Sequence, residues 1–374
     1  MTAPPTTSDL IATIEGRLGV ITLDRPKALN ALSLAMVEAL ETVLDDWARN
    51  PAVDAVLIRS SSERAFCSGG DVRAIGILPD PAARTALGRS FFATEYRVNH
   101  RINTFNKPFI ALLSGVAMGG GLGLSVHGSH RVASETLRMA MPETVLGLFP
   151  DVGGAWFLNR CPGAIGRYLA LTGQHVGTAD ALTAGVATHH VPAARFAALI
   201  GALVAAPKLD RAAVDAIIAA HEADAGTGPL AERRAEIDRL FSGVDLDAVV
   251  AAVDQAASGA DWIAEAKAVL HHASPTSLRA TWRRMIDSRG QDTARVLKDD
   301  YRMAVRIVAG HDFPEGVRAI FVDKDRNPRW QPATLSEVTA AEIDALLAPL
   351  PGGELELSRA LRSPGPSCAG GNSL

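Results

Sequence analysis

The stretch NKPFIALLSGVAMGGGLGLSVHGSHRV, Asn106 to Val132, decides the fold. From Pro108 to His130 it runs without one Asp, Glu, Lys or Arg, and Gly115 and Gly119 stand at the GxxxG spacing of packed membrane helices. Apolar length alone would read as a membrane span. The breakers in it argue for protein core instead. Pro108 opens the run, Ser114-Gly115 makes a tight turn, and Gly119-Gly120-Gly121-Leu122-Gly123 suits the start of a helix. Phe109 to Leu113 is then a short buried strand.

VITL (20–23) and AVLIR (55–59) are further short apolar runs, and Leu137 to Met141 is another. A helix pattern runs from Ser33 to about Arg49, with Leu34, Val37, Leu40, Leu44 and Trp47 on one stripe and acidic residues opposite. Helix patterns recur at 166–171 and 178–184. Alternating strands and helices argue for an α/β domain. Beyond about Ala206 the chain turns Ala-rich and helix-forming, over 210–223, 228–241, from Ser274-Pro275, and over 292–308. The expected organisation is a flexible N-terminus (1–9), an α/β core (10–205), a helical C-terminal subdomain (206–350) and a disordered tail rich in Pro, Gly and Ser (351–374). No internal repeat is visible.

The 374 residues are 48% hydrophobic and 21% charged, which excludes disorder, collagen-like repeats and coiled coil. A net charge of −4 with no basic block argues against nucleic acid as a partner. Cys67, Cys161 and Cys368 are too few and too scattered for a disulfide framework, so free thiols in a reducing compartment are expected. MTAPPTTSDL has the features of neither a secretory nor a mitochondrial leader, which makes the cytoplasm the expected location, with no membrane partner.

Four glycine-containing segments follow strand-like runs: CSGGD (67–71), MGGGLG (118–123), MPET (141–144) and FPDVGG (149–154). Free backbone N–H groups at such turns can hold a developing negative charge, although each segment taken alone also suits simple turns and packing. Glu143 and Asp151 lie among apolar residues and prolines, where a carboxyl is pushed toward its neutral form and suits acid or base work. The competing reading makes them helix caps, Glu143 after Met141-Pro142 and Asp151 before GGAWFL. Other motifs fail. His127 occupies the position where a serine nucleophile elbow needs its second glycine, and Leu124 the position where a dinucleotide fingerprint needs its third. His127 and His130 lack a third ligand at metal spacing, so they are expected to be structural, and no metal is assigned. Trp156, Trp262, Trp282 and Trp330 are expected to pack rather than to stack on a ligand.

LDRPKALNAL (23–32), RAFCSGGDVRAI (64–75), the opening stretch and MAMPETVLGLFPDVGG (139–154) together resemble the crotonase (enoyl-CoA hydratase/isomerase) superfamily. EYRVN (95–99), SPTSL (274–278) and GHDFPEGVRAIFVDKDRNPRW (310–330) extend the likeness over roughly 10–345, toward members that hydrolyse 3-hydroxyisobutyryl-CoA. The resemblance implies an α/β fold of stacked ββα units and a CoA-thioester site. It also implies an oxyanion hole from the Gly70 and Gly120 N–H groups. Catalytic roles fall to Glu143 and Asp151, and acyl contacts to Glu95, Gly120, Glu143 and Asp151. CoA contacts fall to Lys27, Ala28, Leu29 and Arg73. Hydratases of the superfamily use two glutamates, one just after the glycine cluster, and Gly123 stands in that place. Thioester hydrolysis without metal or redox cofactor is therefore the expected reaction, CoA being part of the substrate. The alternatives are hydration or isomerisation of an enoyl-CoA, and non-catalytic binding of CoA esters. Homo-oligomers are common in the superfamily and are a further expectation.

Overall fold

The computed structural model of the chain describes residues 7–257 and 260–357. Strands β1 (Leu10–Glu15) and β2 (Leu18–Leu23) form a hairpin, followed by α1 (Leu34–Arg49), whose first turn is capped by Ser33 accepting from the Met36 N–H. The chain continues through β3 (Ala55–Ser60), β4 (Ala65–Cys67), α2 (Val72–Gly76) and α3 (Pro81–Asn103). Next come β5 (Phe109–Leu113), β6 (Val116–Met118), α4 (Gly120–Gly123), β7 (His130–Ala133), β8 (Arg138–Ala140), α5 (Gly154–Leu158), α6 (Ile165–Thr172) and β9 (His189–His190).

One six-stranded sheet has the order β1-β2-β3-β5-β7-β9, parallel from β2 onward, and a second has the order β4-β6-β8. Each pair β3/β4, β5/β6 and β7/β8 gives one strand to each sheet, so the backbone repeats as stacked ββ steps although the sequence does not. The first two steps end in a short helix, α2 or α4. Side chains alternate across the large sheet: Val56, Ile58, Phe109, Ala111 and Leu113 enter the main core, whereas Leu57, Ile110 and Leu112 enter a second cluster on the outer face. A strand buried on both faces must be apolar at every position, which explains the uncharged run at 109–113. No helix among the described residues is long and apolar enough to cross a membrane.

Helices Phe196–Ala205 and Arg211–Ala219 cover the outer face in one shared cluster, Leu199 and Leu203 beside Val214 and Ile218. The expected boundary at 206 falls between them. Among the described residues after β9 the chain forms no further strand, and helix Thr293–Ala309 lies along α3. The helix expected over 228–241 is broken at Arg233 into Pro229–Glu232 and Arg234–Phe241.

Both ends are held further out than expected. At the start, the Asp24 N–H donates to the Asp9 carbonyl. At the end, Glu354 pairs with Arg302 at 2.8 Å and Leu355 is buried. The remainder of the expected tail, with Cys368, lies outside the described residues.

Candidate active site

Lys27, Ala28 and Leu29 sit in a turn that one side chain pins down. Leu29 and Asn30 adopt positive φ of 51° and 56°, a region few non-glycine residues enter. Asn30 makes this possible. It accepts from the Arg25 N–H (2.8 Å) and donates to Ser60 Oγ (2.7 Å) and the Phe66 carbonyl (3.0 Å), tying the turn to β3 and β4.

The ends of β4, β6 and β8 bring the glycine segments together. A cleft of about 570 Å³ is lined by all nine residues singled out from sequence: Lys27, Ala28, Leu29, Gly70, Arg73, Glu95, Gly120, Glu143 and Asp151. Lys27 and Arg73 are exposed cations at its rim, and the three carboxyls are buried. A second cleft of about 440 Å³, beside Asp54, Lys107, Lys208 and Arg211, contains none of the nine. Two of its charges are already engaged, Asp54 by Arg17 and Lys208 by Asp210.

Gly119, at φ 47°, turns the chain from β6 into α4 with Glu143 Oε1 so close that a Cβ there would lie 2.6 Å from it. A Cβ on Gly120 would overlap Glu95 Oε1 and stand 3.1 Å from the Gly70 nitrogen, so the Gly70 and Gly120 backbones and the Glu95 carboxyl meet at one point. Among the described residues neither the Gly70 nor the Gly120 N–H donates a hydrogen bond. Glu95 Oε1 and Glu143 Oε2 are likewise buried without a partner, as are both polar atoms of Asn99. Unpaired buried groups are expensive, and several converging on one cleft mark a place shaped for a polar ligand.

The acidic trio repels its own ionisation. Burial, then Asp151 and Glu143, push Glu95 well above the usual carboxylate range, and burial, then Asp151, does the same to Glu143. Asp151 is pushed up to about 7 by burial, against the pull of a 2.6 Å hydrogen bond donated by the Tyr96 hydroxyl to Oδ2. Such a site holds neutral acids beside a carboxylate that becomes a strong base once ionised.

Neither capping alternative holds. The helical turn after Pro142 and α5 after Gly153 lack side-chain caps, so neither carboxyl is engaged at a helix end. Val152 next to Asp151 has φ 51°, strained for a β-branched residue. Two buried groups hold it there. His127 Nε2 lies 2.8 Å from the Val152 carbonyl, and the Gly153 N–H donates to Asp300 Oδ2 at 3.0 Å. His127 is thus structural, as expected, its pKa lowered to about 4 by burial. His130 starts β7 and meets Asp215. No group of three His, Cys, Asp or Glu among the described residues has metal-holding geometry. Trp262 packs on Tyr168 and Trp156 on His127, as packing residues do.

Sequence reasoning missed Tyr96, Asp300 with its ion-pair partner Arg284 (3.0 Å), and Phe321, which lines the cleft from a π-helical turn at Arg318–Val322. Tyr96 was within reach, since it follows Glu95 in EYRVN. Asp300 and Phe321 lie about 150 residues or more from the segments they join, with no local signal.

A sequence model of the Enoyl-CoA hydratase/isomerase family matches residues 18–347. Curated relatives described as "3-hydroxyisobutyryl-CoA hydrolase, mitochondrial" include the protein of Xenopus tropicalis, 41% identical over 93% of this chain and 91% of its own length. That of Gallus gallus is 38% identical over 94% and 91%, and that of Homo sapiens 38% over 88% and 86%. Among solved structures, a carnitinyl-CoA dehydratase from Mycobacterium thermoresistibile superposes with a TM-score of 0.86 at 38% identity, covering 94% of this chain and 99% of that one. An enoyl-CoA hydratase from Rhodobacter sphaeroides 2.4.1 gives 0.85 at 39%, covering 93% and 100%.

Proposed function

The chain belongs to the enoyl-CoA hydratase/isomerase family, and from that premise we infer that it is an acyl-CoA thioester hydrolase acting on 3-hydroxyisobutyryl-CoA. The names of the solved relatives point to dehydration or hydration instead, so the choice turns on one observation at Gly123. A Cβ at Gly123 would lie 2.8 Å from Asn99 Nδ2 and 2.8 Å from Val152 Cβ. The place where the resemblance puts the first hydratase glutamate is therefore packed shut. Adding water across a double bond with two glutamates lacks its first acid-base group here. Glu143 and Asp151 remain, beside two unpaired N–H groups.

In the proposed reaction the thioester carbonyl oxygen lies between the Gly70 and Gly120 N–H groups, which stabilise the charge that develops as the carbon becomes tetrahedral. In the state where the shared charge of the trio rests on Glu143 and Asp151 keeps its proton, Glu143 takes a proton from water as the oxygen attacks, or attacks the carbon itself to give a mixed anhydride that water then opens. The C–S bond breaks with its electron pair going to sulfur, and Asp151 protonates the departing thiolate or binds the substrate hydroxyl. Glu95, held neutral by its surroundings, positions the acyl group. Lys27 and Arg73 at the rim suit the CoA phosphates, with Ala28 and Leu29 along its arm. These groups complete the chemistry with no metal or redox cofactor. The place implied by this substrate is valine breakdown.

For location, Cys67 and Cys161 are buried free thiols, which suits a reducing compartment. We read this as the cytoplasm, whereas the relatives are named mitochondrial; fluorescence localisation of the full chain separates the two.

The test is thiol release. Incubation with 3-hydroxyisobutyryl-CoA is expected to liberate free CoA, while crotonyl-CoA keeps its conjugated absorbance. Loss of that absorbance without thiol from the first ester would transfer the assignment to hydration. Heavy-oxygen water in single turnover then assigns Glu143: label in its side chain marks nucleophilic attack.

A further inference from the structure

Tyr96 and Asp151 carry an inference that rests on the hydrolytic reading and deepens it. Asp151 lines the cleft; Tyr96 does not, being fully enclosed behind it on α3. The phenol donates to Asp151 Oδ2 at 2.6 Å and to no other described residue. Asp151 is fixed from its other side too, because the next two residues are held by His127 and Asp300.

We propose that Tyr96 is a positioning residue for the reaction: its hydroxyl occupies Asp151 Oδ2, so that a proton taken up by this carboxyl resides on Oδ1, the oxygen left to the cleft, and passes from there to the departing sulfur. As the C–S bond breaks, its electron pair goes to sulfur and the Oδ1 proton follows. The carboxylate left behind keeps the Tyr96 hydrogen bond, which strengthens as charge appears on its acceptor. The proton that Glu143 takes from water and later yields to solvent balances the one that recharges Asp151.

The titratable groups facing Asp151 are few and their signs are plain. Glu95 comes from α3, Glu143 from the turn after β8, and Asp300, paired with Arg284, from the C-terminal helices. Burial, and after it the charge of Asp300, favour the neutral acid. Tyr96 is the side chain that pulls the other way, and the balance lies at about 7. Removing the donor must therefore move Asp151 upward in pH, and a stronger donor must move it down.

Tyr96→Phe keeps the ring and deletes the donor. The alkaline limb of its kcat profile is expected to move up by about 1 pH unit, the effect of one hydrogen bond to a charged group, with kcat at the optimum about tenfold lower and KM little changed. Replacement of Tyr96 by 3-fluorotyrosine, a more acidic phenol of nearly the same size, is expected to move the limb down. The same two shifts should appear in the infrared band of the protonated Asp151 carboxyl, assigned by its loss in Asp151→Asn. That band is read without turnover, so a wild-type protein releasing no thiol would sink the hydrolytic reading while the Tyr96–Asp151 coupling is still measured. A folded Tyr96→Phe protein with limb and band unmoved overturns the proposal. If that variant does not fold, an unmoved limb and band in the fluorotyrosine protein overturn it equally.

Discussion

At the scale of single residues, the site costs stability, and the sign can be worked out at Asp151. An unfolded aspartate titrates near ~4, whereas in the fold burial raises Asp151 to about 7. Between these values the folded chain holds a proton that the unfolded chain has released, so stability falls as pH rises across that window and levels off above it. The interval corresponds to a cost on the order of 4 kcal/mol, present in full above the folded value. Asp151→Asn keeps an acceptor for the Tyr96 hydroxyl and removes the charge. Thermal denaturation across about pH 5 to 8 should show a flatter dependence for the variant and a Tm higher by several degrees at the alkaline end, alongside lost turnover. Parallel curves would mean that Asp151 is not held neutral in the fold. Of the nine residues that reach the cleft, Gly70, Gly120, Glu143 and Asp151 lie in or beside turns whose backbone demands are written locally, in glycines and prolines, whereas Arg73 on α2, Glu95 on α3 and the turn at 27–29 were legible through the family resemblance. Asp300 was not legible, because its importance arises from a contact with Gly153 across 147 positions.

Among the elements, legibility followed how one-sided each one is. β5 matched its expected bounds and α1 its expected helix, with Val37, Leu40, Leu44 and Trp47 buried on one stripe. β4, β6 and β8 have three residues each, and β4 and β6, too short to show a period, were not read at all. α3, the longest helix among the described residues, was missed for another reason. It is wedged between α1 and helix Thr293–Ala309, so Arg84, Gly88, Glu95, Tyr96 and Asn99 are buried together, and polar residues on the packed sides blur the apolar stripe that would mark it. Its glycine records the closeness of that packing: a Cβ on Gly88 would lie 2.8 Å from Val308 Cγ2. Gly88→Leu should force the two helices apart, costing about 1–3 kcal/mol by overpacking despite the gain in helix propensity. Because Glu95 and Tyr96 ride on the same helix, kcat should fall with the Tm. A variant as stable as wild type in urea would show that this interface yields freely.

For the whole molecule, the question is whether the α/β part could stand without the C-terminal helices that sequence alone sets apart as a subdomain. One hydrophobic cluster runs from Leu10 through Phe92 and Tyr96 to Leu297, Phe313 and Val317, with no seam at the boundary. Val296, Leu297, Met303, Val308, Phe313 and Val317 are all fully enclosed. At about 1.5–3 kcal/mol for each buried side chain, these six contribute roughly 9–18 kcal/mol, as much as the ~5–15 kcal/mol net stability of an entire domain. Two supports of the site go with them: Asp300, which holds the Gly153 N–H, and Phe321, whose ring forms part of the cleft wall. A chain ended after residue 292 should therefore lose the cooperative transition of the full chain rather than keep a trimmed active core. It should retain helical far-ultraviolet dichroism but bind the dye ANS and show no near-ultraviolet signal. The opposite result, a sharp thermal transition with thiol release intact, would make the C-terminal helices an accessory. Their burial would then have to be offset by rearrangement of α3, whose exposed flank would otherwise present Phe92 and Tyr96 to water.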